Sequence, residues 1–417
     1  MPSTNDSPPC LPASAEPNSR FTLFAWVSLS LLGVFALLAN APAPRRIFSV
    51  VVLLSFIVEG FNRVSLIRRY WAAFLPWVAV VLASALWSPS PTVTLGDALW
   101  EIISPIAAGL LAMSVAARIG QRHFWLPFAL IGIFIVPCLL GALHVHAGFW
   151  PELPKVVVGA YAGRGVASTM GVFLTLIGIA VIGINWRVAG GRKYRLIFLG
   201  GWLLIAGILL GVLGHNRMYW LALPIALLPW LIRIGNLPKR MRFGLIGSLL
   251  MVVAMGILYS NYLAKLPAVG EAAPSENLNS YVKDPRWVIW HDWLAVAAER
   301  PLLGIGYGSR IMSRVGEQKI AVTVDYNVQQ HAHNLLLNIV VQTGLVGLVC
   351  FLFALGGVWR LLFDARGAVA EVPGTWQLAA LSLVLAALVK SMTDDFFWGP
   401  AGVLMWMFVG VFAARRR

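Results

Sequence analysis

Charged residues are scarce in this chain. Asp, Glu, Lys and Arg together make up 12% of its 417 residues, whereas hydrophobic residues make up 59%. A soluble domain with this balance would expose large apolar patches and aggregate. The composition therefore excludes an ordinary soluble enzyme and predicts a protein that crosses the membrane several times.

Cysteine is scarce as well, and the three cysteines stand far apart. Cys10 precedes the first apolar run, and Cys138 and Cys350 lie inside apolar runs. This distribution gives neither a disulfide framework nor the spacing of a metal site. Asp97 and Glu101 share one helical face, but no Asp-x-Asp signature accompanies them. We therefore expect neither a metal nor another cofactor.

Acidic residues are fewer than basic ones, which leaves a formal net charge of +15. The arginines and lysines are scattered over short loops between apolar runs. That pattern follows the positive-inside rule and does not form a nucleic-acid surface. The rule places both termini in the cytoplasm. Arg45 and Arg46 are the exception, because this orientation puts them outside, which raises the alternative that the first two spans are wrongly divided.

The apolar runs predict an all-α polytopic membrane protein with about twelve transmembrane helices, since each crossing takes roughly 20 apolar residues. One long polar segment interrupts them. By this division, residues 1–20 form a disordered cytoplasmic tail and residues 21–259 the first nine spans. Residues 260–332 form one large extracytoplasmic loop with short helices, residues 333–414 the last three spans, and residues 415–417 a basic cytoplasmic end.

The predicted loop contains an aromatic segment and a glycine-rich one. Trp287, Trp290 and Trp293 recur every three residues. This spacing suits either a helix in the lipid headgroup region or a helix packed on the bundle. The glycine-rich stretch at residues 301–308 lacks the strand and helix context of a nucleotide loop. We expect it to form a tight turn that brings backbone close to a helix or a substrate.

His333 and Asn334 stand where the long loop meets the next apolar run. A histidine accepts a proton readily near neutral pH, because its reference pKa is about 6.5, and is therefore suited to act as a general base. Asn334 is placed either to cap the helix or to orient a sugar or phosphate oxygen. Two alternatives stay open: His331 competes for the role of base, and His333 is instead a structural histidine bonded to backbone.

Three arginines, Arg164, Arg217 and Arg286, lie at the predicted outer ends of spans or in outer loops. An arginine at the membrane boundary needs an anionic partner, and a diphosphate fits because a guanidinium binds phosphate oxygens in pairs. Snorkelling or pairing with a carboxylate is the alternative for any one of them.

Asp394 and Asp395 follow the next-to-last span, close to Lys390. Such a pair is able to bind a metal or to position an acceptor. A salt bridge to an outer arginine is the structural alternative.

Together these residues resemble those of bacterial O-antigen ligases. The likeness rests on His333-Asn334 with Gly344 and Gly347 behind them, on Arg217 after a short turn, and on Arg286 before a tryptophan. It extends to the superfamily of those ligases, O-antigen polymerases and protein O-oligosaccharyltransferases. The resemblance implies a bacterial inner-membrane enzyme with a periplasmic active site. In it His333 takes the role of the essential histidine, Arg217 and Arg286 those of the essential arginines, and Arg164 supports them.

The activity that this resemblance implies is glycosyl transfer. An O-antigen glycan would pass from undecaprenyl diphosphate to a hydroxyl of lipid A–core, with inversion and without metal or nucleotide. The implied partners are the lipid-linked donor, the lipid A–core acceptor and membrane lipid. A polymerase would use a second lipid-linked glycan as acceptor, and an oligosaccharyltransferase a protein. A transporter of lipid-linked glycan is more distant, because it predicts repeated halves, and no repeat is visible.

Overall fold

The structure, a computed structural model, is helical wherever it describes the chain. It describes residues 19–38, 41–62, 64–147, 164–186, 192–214, 216–231, 246–247, 250–251, 254, 256, 258, 285–320, 331–363, 374–393, 397 and 399–414. Within these residues there is no strand, and the helices in chain order are α1 Ser19–Leu37, α2 Pro42–Asn62, α3 Val64–Ala83, α4 Pro91–Asp97, α5 Ser104–Ala116, α6 Gln121–Phe124, α7 Leu126–Ala147, α8 Arg164–Asn185, α9 Arg192–Leu213, α10 Arg217–Leu231, α11 Pro285–Glu299, α12 Ser309–Lys319, α13 Leu335–Phe363, α14 Thr375–Ser391 and α15 Gly399–Ala414. A six-residue π-helical turn, Ala98–Ile103, joins α4 to α5. The all-α prediction is confirmed for these residues.

Six of the described helical segments are long and apolar enough to cross a membrane. They are Arg20–Leu37, Pro91–Ala116, Gln121–His144, Gly165–Asn185, Lys193–Leu213 and Leu335–Arg360, and Ala72–Leu86, Thr375–Ser391 and Gly399–Ala414 are shorter apolar helices. These helices confirm a membrane protein. The count of twelve spans and the orientation stay predictions, and below "outer" means the side that the sequence predicts to be extracytoplasmic.

The main hydrophobic core includes residues of α1, α5, α7, α8, α9, α14 and α15, among others. Small residues let some of these helices approach closely, as is common in membrane bundles. At the contact between α8 and α9, a Cβ on Gly178 would lie only 2.5 Å from the backbone nitrogen of Leu204. The helix–helix packing here therefore depends on the absence of side chains.

A second, smaller hydrophobic cluster lies on the first turns of α13. It joins α11 and α12 to α13 through Ile289, Trp293, Met312 and Val341, among others. Trp293 is 0% exposed, so α11 packs on protein. Of the two alternatives for the tryptophan segment, the structure shows the helix packed on the bundle. The segment predicted as the large loop thus contains two short helices, as expected.

Helix α13 is kinked where the glycine-rich turn binds to it. Gly344 has φ 69° and ψ −171°, a conformation that only glycine adopts readily. The kink frees the N–H of Leu345, which donates to the carbonyl oxygen of Pro301 at 2.9 Å. Before the kink, the N–H of Ile305 donates to the carbonyl of Val341 at 2.9 Å. The expected tight turn is confirmed, and what its backbone approaches is a helix.

The first two helices form a hairpin as predicted, with Arg45 and Arg46 in the first turns of α2. These arginines line one cleft together with Ser309 and Arg310 of α12. Arg45 and Arg46 therefore lie on the same side as the long-loop segment. The alternative of a wrongly divided hairpin is not needed to explain them.

Candidate functional site

The two histidines at the start of α13 are in contact. Their ring centroids are 3.9 Å apart, and Nδ1 of His331 accepts the backbone N–H of His333 at 3.2 Å. Because Nδ1 is an acceptor here, a neutral His331 carries its proton on Nε2. His331 therefore has its basic nitrogen engaged by backbone.

His333 has a strained backbone. Its φ is 49°, and no other non-glycine residue among those described has a positive φ. Such a conformation costs on the order of 1–3 kcal/mol and is typical of functional sites. The surrounding hydrogen bonds hold it: the N–H of Ala332 donates to Oδ1 of the buried Asn338 at 2.8 Å. The sequence could not show this strain, because it depends on how the turn is closed.

Asn334 caps helix α13. Its Oδ1 accepts the N–H of Leu337 at 3.2 Å, and its carbonyl oxygen accepts the N–H of Asn338 at 2.8 Å. A side chain in this role satisfies one of the free N–H groups of the first helical turn. Of the two roles expected for Asn334, the structure shows the capping role.

The three predicted arginines share a position at the start of a helix. Arg164 opens α8, Arg217 opens α10 and Arg286 is the second residue of α11. The side chains of Arg164 and Arg286 lie outside the described residues. Arg217 is exposed and forms no ion pair with a carboxylate of the described part of the chain. Its helix is capped by Asn216, whose Oδ1 accepts the N–H of Met218 at 2.9 Å.

A buried lysine contacts α8 about one helical turn after Arg164. Lys390 of α14 is 0% exposed, and its Nζ donates to Oγ of Ser168 on α8 at 2.7 Å. This bond places the outer end of α14 against the start of α8. Asp394 and Asp395, the predicted acidic pair, lie outside the described residues. The sequence offered a signal for Lys390, since it is a single cation at the end of an apolar run.

Asp97 and Glu101 hold the start of α12. Oδ1 of Asp97 accepts from Nε of Arg310 at 2.8 Å and from its Nη2 at 2.7 Å, and this hydrogen bond raises the pKa of the Arg310 guanidinium. Oε1 of Glu101 accepts from Oγ of Ser309 at 2.5 Å. Both carboxylates are thus used by protein groups. Sequence reasoning missed this pairing because Asp97 and Arg310 are separated by 213 positions.

A comparison with protein families matches part of the chain. Residues 202–352 match the family model described as O-antigen ligase. The matched segment runs from within α9 into α13, so it includes Arg217, Arg286, His331, His333 and Asn334 and excludes Arg164. A comparison with curated proteins gave no match.

Proposed function

We propose that this chain is an O-antigen ligase of the bacterial inner membrane, since its residues 202–352 match the O-antigen ligase family model. It transfers an O-antigen glycan from undecaprenyl diphosphate to a sugar hydroxyl of lipid A–core at the periplasmic face, and both termini are cytoplasmic. The proposal rests mainly on His333, which has a strained backbone just before the start of α13 and lies inside the matched segment.

His333 is the general base of this reaction. The acceptor hydroxyl gives its proton to the His333 imidazole while its oxygen forms a bond to the anomeric carbon. The bond from that carbon to the diphosphate breaks, and its electron pair leaves with undecaprenyl diphosphate, so the configuration inverts. The bond between the His331 Nδ1 and the backbone N–H of His333 supports the choice of His333 over His331. His331 positions His333 through this bond.

Arg217 and Arg286 bind the diphosphate. Arg217 is exposed at the start of α10, where the helix dipole adds to its positive charge. Arg286 is the second residue of α11, which packs beside α13, and the turn after α11 binds α13 through the bond between Leu345 and Pro301. Both helices lead toward that bond, so Arg286 and His333 each stand before the part of its helix that leads there. This arrangement supports a diphosphate held beside the base.

Arg164 and the aspartates complete the site. Arg164 opens α8, and the bond from Lys390 to Ser168 brings the start of α8 to the end of α14, which precedes Asp394 and Asp395. Arg164 contributes to diphosphate binding, and the aspartates orient the acceptor sugar. Arginines neutralise the leaving diphosphate, so the reaction needs no metal.

An O-antigen polymerase is the second candidate, because the matched family includes polymerases. It would use the same donor and the same base, and a second lipid-linked glycan would supply the hydroxyl. The acceptor alone separates the two functions.

The test is glycan transfer by the purified protein in lipid nanodiscs with chelator present. The donor is undecaprenyl-diphosphate glycan and the acceptor is purified lipid A–core. We compare His333→Asn with His331→Asn, because asparagine tolerates a positive φ and removes the base without adding strain. We expect His333→Asn to lower kcat by about 10²–10⁴-fold and His331→Asn to lower it less.

Three outcomes would count against parts of this proposal. A larger loss in His331→Asn would move the base to His331. Elongation of the lipid-linked glycan without transfer to lipid A–core would make the protein a polymerase. Loss of activity in chelator, restored by a divalent metal, would contradict the role given to the arginines.

A further inference from the structure

A polar cleft lies between the start of α2, the π-helical turn, the start of α12 and the start of α15. It has a volume of about 290 Å³, and its lining includes Arg45, Arg46, Asp97, Trp100, Glu101 and Arg310. His333 and Arg217 do not line it. Among the described residues, the cleft is therefore lined by groups other than the proposed base and Arg217.

The two carboxylates of the cleft are directed at α12. Asp97 accepts two hydrogen bonds from the Arg310 guanidinium and one from the backbone N–H of Arg310 at 3.3 Å. Glu101 accepts from Ser309. Among the described residues, these two carboxylates thus hold the start of α12.

Arg45 and Arg46 concentrate positive charge on the opposite wall. They are neighbours in the first turns of α2, where no acidic residue is present and where the helix dipole is also positive. Arg46 is held over the ring of Trp100 at 5.9 Å from its centroid, and Arg45 is half-buried. Two adjacent guanidiniums at a helix start repel each other, and an anion between them relieves that repulsion.

The position of these arginines in the sequence is independent support. Basic residues are disfavoured in short outer loops, yet Arg45 and Arg46 line a cleft with residues of the predicted outer segment. A basic pair that runs against the positive-inside rule is explained if it binds a ligand.

Helix α2 also leads from this cleft along an apolar surface. Ile47, Val50, Leu54, Ile57 and Val58 are exposed, and they recur at helical spacing on one side of α2. A molecule with hydrocarbon chains against this surface would place its polar headgroup at the start of α2. Lipid-facing side chains and a cationic cleft at their end together suit a glycolipid with an anionic headgroup.

We propose that the cleft binds an anionic sugar, one that carries a phosphate or carboxylate group, and that this sugar belongs to the acceptor glycolipid. Arg45 and Arg46 bind the anionic group, since guanidiniums pair with phosphate and carboxylate oxygens. Trp100 orients Arg46 and offers an apolar surface to the sugar ring. Only the assignment to the acceptor rests on the proposed function; binding of an anionic sugar does not.

The first experiment measures binding without catalysis. Saturation-transfer NMR on the protein in phosphatidylcholine nanodiscs uses glucose 6-phosphate, glucose and inorganic phosphate as probes. We expect glucose 6-phosphate to bind more tightly than either of the others, and Arg45→Gln and Arg46→Gln each to weaken it at least about tenfold. Arg314→Gln, an exposed arginine on α12 outside the cleft lining, should leave binding unchanged. Equal binding in wild type and both cleft variants would overturn the site, as would no binding at all.

The second experiment assigns the sugar to a substrate. In the transfer assay we expect Arg46→Gln to raise the KM for phosphorylated lipid A–core about tenfold and to leave the donor KM and kcat unchanged. The effect should disappear with lipid A–core stripped of its phosphates. A rise in the donor KM alone would overturn the acceptor assignment. If wild type transfers nothing to lipid A–core, the proposed function fails, and the NMR comparison still decides whether the cleft binds an anionic sugar.

Discussion

At one end of α2, Glu59 is 1% exposed and pairs with Arg118, which follows α5. At the other end, Arg45 and Arg46 line an open cleft that also holds Asp97 and Arg310. Both clusters combine guanidiniums with carboxylates and share helix α2, and they are built in opposite ways.

The inner cluster consists of Glu59, Arg118, Ser114 and Thr22, and its two charged groups are bonded to each other and to neighbouring protein groups. Ser114 donates to Glu59, and Arg118 also bonds the carbonyl of Ser114 at 3.3 Å and the hydroxyl of Thr22 at 3.4 Å. The outer cluster consists of Arg45, Arg46, Asp97 and Arg310. In it, the side chain of Arg310 is 56% exposed although that of Asp97 is 6% exposed. A charge pair surrounded by protein bonds serves the fold, whereas the cations on the wall of an open cleft lie where a ligand can contact them.

The largest expected effect comes from opening the inner cluster. Arg118→Met removes the cation from the buried Glu59 carboxylate, and breaking a buried pair in this way costs about 3–5 kcal/mol of unfolding free energy. Steric-trapping measurements in bicelles would quantify the loss. The double variant with Glu59→Gln should recover part of it, because no buried charge remains. A loss of less than about 1 kcal/mol of unfolding free energy would mean that this pair behaves like an ordinary surface pair. The contrast between the inner and the outer cluster would then not hold.

The second largest effect is expected at the kink of α13, which binds the turn that precedes α12. In Gly344→Ala the new Cβ would lie 2.1 Å from the carbonyl carbon of Leu302 at a backbone conformation reserved for glycine, so we expect a loss of about 3 kcal/mol. Gly356→Ala in the same helix is the matched control, because nothing lies within 4 Å of its Cβ. That control should be neutral or stabilise by up to about 1 kcal/mol. Equal stability of the two variants in the same measurement would show that the kink is not required.

A smaller effect is expected at the carboxylate of the outer cluster. Asp97→Asn keeps the shape of the side chain and removes the charge that binds Arg310, so the loss should be about 1–3 kcal/mol. Faster hydrogen exchange in α12 would locate the loss there. Arg314→Gln on the exposed side of α12 should change neither quantity. Unchanged exchange in Asp97→Asn would mean that the ion pair does not hold the start of α12.

The smallest effect on stability is expected at the cleft wall. Arg46→Gln should change the unfolding free energy by no more than about 0.5 kcal/mol, as surface substitutions usually do, although it weakens binding of a sugar phosphate. A large loss of stability in this variant would mean that Arg46 is structural like Arg118, and the two ends of α2 would then be alike.

Several features of the fold could be predicted from the sequence because they depend on local pattern. Long apolar runs predicted a helical membrane protein, and the position of His333 before an apolar run predicted a helix start, with Asn334 as one candidate cap. The glycine-rich stretch at residues 301–308 predicted a tight turn that brings backbone close to a helix or a substrate. Two alternatives, a headgroup helix or a packed one, remained for α11, because a repeat of tryptophans has the same spacing on either surface.

The composition and the order of residues alone determined that this is a helical membrane protein, and they predicted which histidines and arginines deserve a functional test. Only the tertiary structure decided the partners. Asp97 pairs with Arg310, and Glu59 pairs with Arg118. The backbone of His333 has a positive φ, and Nδ1 of His331 accepts a hydrogen bond from it. Arg45 and Arg46 line a cleft together with residues of α12. The physical reason is that helix formation and hydrophobicity act over a few neighbouring residues, whereas charges pair according to which helices pack together.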